Sequence, residues 1–431
     1  MKYFPPFRFL PLLLLLAHFF CGISFLAALN GSEEDTIFEE PAFVSDHIYI
    51  TGISITGLMR TRFSAAERAL RRFIGMEVSS LNLDDVAAAI ESTIILRPLS
   101  VEIQGQVLAV EVYERWSIFP IPIITGDAGG IGGGASFFDA NAFGLIDQMY
   151  VTAIFNAEGW TVTAGYFFSR RAAHLPSIAN TASFSMRERH DRDQNNYILR
   201  RFNVNAVSFH STINFPLIAN SDLLYFSALF SFNDRRSNNL AYILPEEPSS
   251  LSMFGAGGEL SLHKNTWDGY FISQRALSVR YVIYTDFFNN FFETVQIRGA
   301  WEQPIIPGFR ANLRMGLFFA PQAPVLFESL PVAAQIVILP KNFSAQNYAS
   351  VSASLEKSLF RFRLGTLSVS LGYQLAHSRG TALPDFSFDH GYMGMLSFYI
   401  TRLRAPVFSM GVSHNVRSDF LQTFISFAIS Y

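Results

Sequence analysis

Residues 366–375 have the sequence TLSVSLGYQL, in which apolar and small polar residues alternate at every position. Successive side chains of a β-strand point to opposite faces, so this segment has one apolar and one polar face. The apolar face carries Leu367, Val369, Leu371, Tyr373 and Leu375. About ten alternating residues are typical of a transmembrane β-barrel strand, whose apolar face meets lipid while the polar face lines the lumen. A soluble sandwich also alternates, but outward aromatic residues in such numbers would make it aggregate.

The same alternation recurs from about Ile118 to the end of the chain, for example in residues 224–233, 277–283 and 349–356. Polar breaks separate these segments at 187–196, 233–239, 245–250 and 384–389. We count fifteen or sixteen strands between Gly130 and Tyr431 and predict sixteen, because single-chain bacterial barrels have even strand numbers. Residues 116–431 are therefore predicted to form an all-β transmembrane β-barrel of about sixteen antiparallel strands. The glycine-rich residues 130–139 are its predicted first strand and residues 422–431 its last.

The composition agrees with a membrane barrel. The chain has 44 Phe and 16 Tyr, and half of its residues are hydrophobic, yet only 16% are charged. Soluble domains usually carry about a quarter charged residues. The formal net charge of −3 gives no reason to expect a nucleic-acid partner. After the first 28 residues no run of 18 apolar residues could form a transmembrane helix.

Residues 1–28 have the features of a secretory signal peptide. Lys2 and Arg8 precede an almost continuous apolar run over residues 10–20, and small residues follow it. Cleavage after Ser24 and cleavage after Ala28 both fit. A lipoprotein acylated at Cys21 is the alternative, although His18, Phe19 and Phe20 make a poor run before that cysteine. Export is expected in either case, with residues 29–46 as a linker.

Residues 47–115 are predicted to fold as a small β-α-α-β-β domain. A first strand covers 48–55, and Thr61 and Ser64 are candidate caps for a helix ending near Ile74. A second helix begins near Asn82 and ends before Pro98. Two strands follow at 99–104 and 107–113.

This domain resembles a POTRA domain, the periplasmic module of outer-membrane assembly and translocation barrels. The resemblance rests on IYITGISITG at 48–57, FIGMEVSSLNLDDV at 73–86 and VLAVEVYERWSIFP at 107–120. An unrelated small α/β module is the alternative. The resemblance implies that unfolded client proteins add a strand at an exposed sheet edge, here the strand that contains Val101 and Ile103.

The joint between this domain and the barrel is similar to that of the BamA/TamA superfamily, including its bacterial surface antigens. It has the sequence ERWSIFPIPIITGDAGGIGGGASFFDANAFG at 114–144, and the chain ends on an alternating strand with Phe427 and Tyr431 on one face. The resemblance implies a protein assembly or translocation barrel in the bacterial outer membrane. Its lateral gate would be the seam between first and last strands, with Gly132 and Gly134 on the first.

The sequence departs from the superfamily at one motif. The superfamily has a hydrophobic-Arg-Gly-aromatic motif on a long loop five strands before the end, which corresponds to residues 321–346 here. Val337-Ile338-Leu339-Pro340 stands in that place, without Arg-Gly. An IRGA at 297–300 falls in an alternating run, where Arg298 is better explained as a strand residue facing the lumen. The missing motif bears on insertase activity more than on the fold.

The expected partners are outer-membrane lipid, unfolded client proteins, and periplasmic accessory proteins or lipoproteins. A different function is a passive channel, whose lumen Arg280, Arg298 and Glu356 would line. A third is a structural surface barrel. No enzyme activity and no cofactor are expected: the glycines at 130–135 lack the helix that a dinucleotide site needs, and the histidines lack metal-ligand spacing.

Overall fold

The computed structural model describes residues 48–427, apart from 94, 128–129, 170–174, 194, 219–222, 243–249, 268–269, 287–289, 328–335, 341–342, 344, 380–386 and 401–404. The predicted signal peptide, the linker, Cys21 and Tyr431 therefore lie outside the described residues. Among the described residues, no helix is long and apolar enough to cross a membrane.

The N-terminal part of the described chain has the predicted β-α-α-β-β order. Its elements are β1 Gly52–Thr56, α1 Phe63–Leu70, α2 Leu83–Glu91, β2 Leu96–Gln104 and β3 Val107–Glu114. The sheet order is β1-β3-β2, with β1 parallel and β2 antiparallel to the central β3. Leu70 of α1, Ile90 of α2 and Leu108 of β3 are fully buried in one apolar core. We refer to this unit as the N-terminal domain; its assignment as a POTRA domain stays a prediction.

The beginnings of the two helices show where local sequence patterns succeed and fail. α2 begins next to Asn82 as predicted, and the side chain of Asn82 caps it by accepting a hydrogen bond from the N–H of Asp84 at 2.9 Å. Thr61 and Ser64 do not cap α1, which has Arg62 at its N-cap without a capping side chain. Pro98 does not follow a helix end but lies inside β2, at the irregularity between Pro98 and Ser100. A terminal strand tolerates proline because its outer N–H groups need no partner strand.

The remaining sixteen strands of the described residues form one closed antiparallel barrel, as predicted. They are β4 Ile118–Asp127, β5 Gly130–Ala142, β6 Asp147–Asn156, β7 Gly159–Phe168, β8 Ser177–Arg192, β9 Ile198–Pro216, β10 Leu224–Tyr242, β11 Leu251–Trp267, β12 Ile272–Thr285, β13 Phe291–Ile306, β14 Phe309–Phe319, β15 Asn347–Arg361, β16 Gly365–Arg379, β17 Ser387–Ile400, β18 Ala405–Asn415 and β19 Phe420–Phe427. Each strand pairs with its neighbours in the chain, and β19 pairs with β4 to close the barrel.

The first barrel strand is β4, not the glycine-rich segment. The prediction that residues 130–139 begin the barrel is wrong, because β5 is the second strand and pairs along its length with β4. Pro120 and Pro122 concealed β4 in the sequence, since proline is excluded from central strands. Here the described pairs between β4 and β19 begin at Ile124, so both prolines precede the part of β4 that bonds to the last strand.

Alternation along the strands gives the barrel an apolar outside and a polar inside. On β16, Leu371 is 68% exposed and Leu375 41%, whereas Ser368 is fully buried and Gln374 is 2% exposed. Because β4 follows directly on the N-terminal domain, one barrel end lies beside that domain. We call this the domain end and the opposite one the far end. The turn between β5 and β6 is at the domain end, where the carbonyl of Gly144 accepts from Arg62 N–H at 2.8 Å.

Several strands continue through residues that were predicted to be polar breaks. β10 is 19 residues long and includes 233–239, and β17 begins at Ser387 and includes Asp389. Asp389 is fully buried and accepts from Ser387 Oγ at 2.6 Å and from Asn415 Nδ2 at 3.1 Å. The prediction that Asp389 lies in a polar break between strands is therefore wrong, because Ser387 on the same strand and Asn415 on β18 supply hydrogen-bond donors to its carboxylate.

Candidate functional site

The seam between β4 and β19 closes the barrel by pairing its first strand with its last. Its described residue pairs are Ile425 with Gly126, Ser426 with Thr125, and Phe427 with Ile124. Main-chain hydrogen bonds join the two strands here, as they join the other neighbouring strands of the barrel. Opening the seam would leave these main-chain groups of β4 and β19 unpaired.

The residues predicted at the seam are placed as follows. The main chain of Phe427 pairs with Ile124 across the seam and with Phe408 on the other side. Gly132 and Gly134 lie one strand away, on β5, opposite Thr125 and Ile123 of β4. At Gly134 an added Cβ would lie 2.0 Å from the carbonyl oxygen of Ala153, so any larger residue would force β5 and β6 apart.

A long connection between β14 and β15, which we call the lumen loop, folds into the barrel. Its described residues Ile336, Ile338, Leu339, Phe343 and Ala345 are buried. The loop segment that stands in place of the Arg-Gly motif is bound through its main chain. Gln422 Nε2 of β19 donates to the carbonyls of Leu339, at 3.0 Å, and Val337, and Ser413 Oγ of β18 donates to Val337.

The lumen loop also contacts the opposite wall of the barrel. Phe343 forms an isolated bridge with Arg192 of β8. Arg235 of β10 donates to the carbonyl of Leu326, and its guanidinium lies 4.4 Å from the ring centroid of Phe327. The loop is thus attached to β8 and β10 on one side and to β18 and β19 on the other, and so crosses the lumen towards the far end.

A cavity of about 1400 Å³ remains inside the barrel. Ser350, Ser352 and Gln374 are among its polar lining residues, together with the predicted lumen residues Arg298 and Glu356. Arg280, the third predicted lumen residue, lines a separate cavity of about 340 Å³ and donates to Glu259 at 2.6 Å. At the domain end Ala65, Arg68 and Ala69 of α1 line the larger cavity.

A buried ionic cluster fills part of the lumen near the domain end. Arg310 is 2% exposed and lies between two carboxylates, at 2.7 Å from Glu356 and 2.8 Å from Glu302. Tyr399 donates to Glu356 at 3.0 Å, and the ring of Phe271 lies 4.2 Å from the Arg310 guanidinium. Glu356 was predicted to line the lumen, but Arg310 was not. The charged residues at alternate positions of its strand would have indicated that Arg310 also faces the lumen.

Glu114 joins the N-terminal domain to the barrel. Its Oε2 accepts the N–H groups of Met59, Arg60 and Thr61 at 2.7, 3.0 and 3.1 Å, and its Oε1 accepts from Asn141 Nδ2 of β5 at 3.2 Å. Asn141 also donates to Thr61 Oγ1 at 2.9 Å. Burial of the carboxylate opposes its ionisation, but the backbone donors outweigh burial and hold the pKa of Glu114 below its ordinary value of 4.5.

The predicted client-binding strand, β2, is a terminal strand of its sheet. Val101 and Ile103 pair with Val110 and Leu108 of β3, and their side chains pack against the domain core. An added strand would therefore use the outer main-chain groups of β2, with Leu99, which is 58% exposed, beside it. Among the described residues, no group of three or more His, Cys, Asp or Glu could hold a metal ion.

Comparisons with solved structures agree on the fold. The chain superposes on BamA from Haemophilus ducreyi lacking POTRA domains 1–3 with a TM-score of 0.60 and 11% identity, over 88% of this chain and 84% of that one. CdiB from Acinetobacter baumannii gives 0.60 and 11%, over 89% and 74%. CdiB from Escherichia coli gives 0.52 and 13%, over 93% and 94%. No protein-family model and no curated protein matches the sequence. The chain therefore has the barrel fold of BamA and CdiB, which is the fold that the resemblance to their superfamily predicted.

Proposed function

We propose that this chain is an outer-membrane barrel that assembles or translocates client polypeptides, with its N-terminal domain in the periplasm as a single POTRA domain. The seam carries the proposal: β4, the first barrel strand, pairs with β19 to close the barrel, and β19 also binds the lumen loop through Gln422. A client strand can replace the main-chain pairing at this seam with hydrogen bonds of its own. No covalent chemistry is required.

The free energy for this reaction comes from backbone pairing and lipid burial. In hydrocarbon an unpaired peptide group costs several kcal/mol, so an opened seam strongly favours any strand that satisfies its edge. The terminal strand β2 offers a second edge, in water, where a client can pair first. The comparisons support the fold on which this arrangement rests, because they cover 88–93% of the chain.

The lumen loop weighs against a passive diffusion channel. It crosses the barrel towards the far end, where it is bound to β8 and to β19. A wide open pore would require this loop to move. Val337 and Leu339 stand where the Arg-Gly motif is missing, and both are bound through their main-chain carbonyls, so this attachment of the loop needs no arginine.

The proposal is tested by depleting the protein in its own cell and quantifying the outer-membrane proteome. We expect several unrelated barrels to decrease together if it is a general assembly factor, or one secreted client if it is a dedicated transporter. Re-expression of the intact chain must restore the levels. Loss of this barrel alone, together with steady single-sized conductance of the purified protein in planar bilayers, would instead establish a channel.

A further inference from the structure

Four large apolar side chains surround the junction between the N-terminal domain and the barrel. Met59 is 84% exposed, Trp116 71%, Phe143 66% and Phe63 46%. Their chain neighbours contact one another: Arg60 donates to Ser117 Oγ at 3.0 Å, and Arg62 N–H donates to the Gly144 carbonyl at 2.8 Å. The chain segments that carry these four side chains therefore meet at the junction, and we call the four side chains the junction collar.

The junction collar continues the outer surface of the barrel. The ring of Phe143 lies 5.9 Å from that of Tyr166, which lies 4.4 Å from that of Phe168. Phe167 lines the lumen cavity, so its neighbours Tyr166 and Phe168 on β7 face outward. β7 runs toward the domain end, which places these rings at the edge of the surface that meets lipid. Aromatic residues are enriched at that level of membrane barrels.

The turn that carries Phe143 is held in a strained conformation. Phe143 has φ +58° and Ile146 φ +56°, in the left-handed region that residues with a side chain rarely adopt. Asn141 Oδ1 accepts the N–H of Ile146 at 2.9 Å, and Arg68 donates to the Leu145 carbonyl. Contacts from the N-terminal domain and from Asn141 thus hold this turn in place, although the side chain of Phe143 stays largely exposed.

Arginines alternate with the apolar residues of the junction collar. Arg60 follows Met59, Arg62 precedes Phe63, and Arg115 precedes Trp116. All three arginines are exposed. Exposed apolar and cationic side chains in one band match the chemistry of a phospholipid interface, where rings lie at headgroup level and arginine meets phosphate.

We propose that the junction collar lies in the interfacial layer of the phospholipid leaflet that faces the periplasm. It would anchor the N-terminal domain to the membrane as well as to the barrel. The inference requires that the barrel spans a membrane, but it does not depend on the assembly activity.

The test uses Trp116 as its own probe. The chain has four tryptophans, and substituting Trp160, Trp267 and Trp301 by phenylalanine leaves Trp116 alone. The full chain is refolded into phosphatidylcholine–phosphatidylglycerol vesicles whose acyl chains are brominated near the headgroup. We expect brominated lipid to quench Trp116, and aqueous iodide to quench it weakly.

Two matched chains calibrate the result. One retains only Trp301, which faces outward on β13 because its neighbour Ala300 lines the cavity. The other has all four tryptophans replaced and carries Gln106→Trp at the exposed tip between β2 and β3, one full strand from the barrel. Heat-modifiable migration checks that each chain has folded. Emission and quenching of Trp116 close to those of Trp301 support the proposal, whereas values equal to those of Gln106→Trp overturn it.

Discussion

The side-chain amide of Gln422 donates to the main-chain carbonyl of Leu339 at 3.0 Å, so the last barrel strand holds the lumen loop in place. The same amide donates to Val337, which also accepts from Ser413 Oγ. Gln422 lies on β19, the strand that forms the seam. The loop and the seam therefore share one strand, and a movement of β19 must disturb both.

Replacing Gln422 by leucine should release the lumen loop. The variant loses two neutral hydrogen bonds, each worth about 0.5–1.5 kcal/mol, so we expect the population with a displaced loop to rise about tenfold. Protease cleavage within residues 328–346 of the refolded protein, and ion conductance in planar bilayers, both report this population. Thr423→Val is the matched control, because Thr423 is the next residue on β19 and is exposed. Equal cleavage and conductance in the two variants would exclude this role for Gln422.

The ionic cluster predicts different effects for two arginines that bind the same carboxylate. Arg310→Ala leaves Glu356 buried without its cation and removes the buried one of two arginines from Glu302, which should cost about 3–5 kcal/mol. Arg314 also binds Glu302, at 3.0 Å, but its side chain is 59% exposed, so Arg314→Ala should cost no more than about 1 kcal/mol. The temperature at which the barrel loses its heat-modifiable migration measures both. Equal shifts for the two variants contradict the importance of the buried cluster.

The junction between domain and barrel should weaken in acid. The folded pKa of Glu114 is below its ordinary value of 4.5, so the folded protein binds fewer protons than the unfolded chain. The stability that Glu114 contributes is therefore complete above 4.5 and is lost as the pH falls through the lower folded pKa. Hydrogen bonds to a charged group are worth about 1.5–3 kcal/mol, so Glu114→Gln should have its full effect at neutral pH.

Amide hydrogen exchange of residues 57–62, corrected for the pH dependence of the intrinsic rate, measures this junction directly. At neutral pH, Glu114→Gln should lose protection at Met59, Arg60 and Thr61, and the difference from the unchanged chain should shrink in acid. Glu111→Gln is the control, since Glu111 is exposed on the same strand. A difference between Glu114→Gln and the unchanged chain that persists at the lowest pH would contradict the role of the charge.

The sequence predicted those parts of the fold that repeat or depend on local patterns. Alternation over ten residues predicted the barrel strands, and the helix predicted to start near Asn82 does begin at Leu83. The first strand was missed because Pro120 and Pro122 argue against a strand. Both prolines precede the described residues of β4 that pair with β19, and this position becomes known only when the barrel is closed. Asp389 was assigned to a loop because its donors, Ser387 and Asn415, come together only when β17 pairs with β18.

The candidate site was less accessible to sequence analysis. The resemblance to an assembly superfamily indicated a seam and a lumen loop, but not the residues that join them. Gln422 and Ser413 are ordinary polar residues of alternating strands, and their partners are main-chain carbonyls, which carry no sequence signal. Arg310 likewise gains its role from partners on three other strands, two of which, β15 and β17, are distant in the chain.

Stapling the seam tests the central claim most directly. Ile124→Cys with Phe427→Cys places cysteines on paired residues of β4 and β19, in a Cys21→Ser background without other thiols. The control retains Phe427→Cys but pairs it with Phe408→Cys, across β18 and β19, which leaves the seam free. With the disulfide confirmed, the seam staple should reproduce the depletion phenotype and a reductant should reverse it, whereas the control should behave like the unchanged chain. Normal growth and normal outer-membrane protein levels with a fully oxidised seam would contradict an opening seam and, with it, the proposed function.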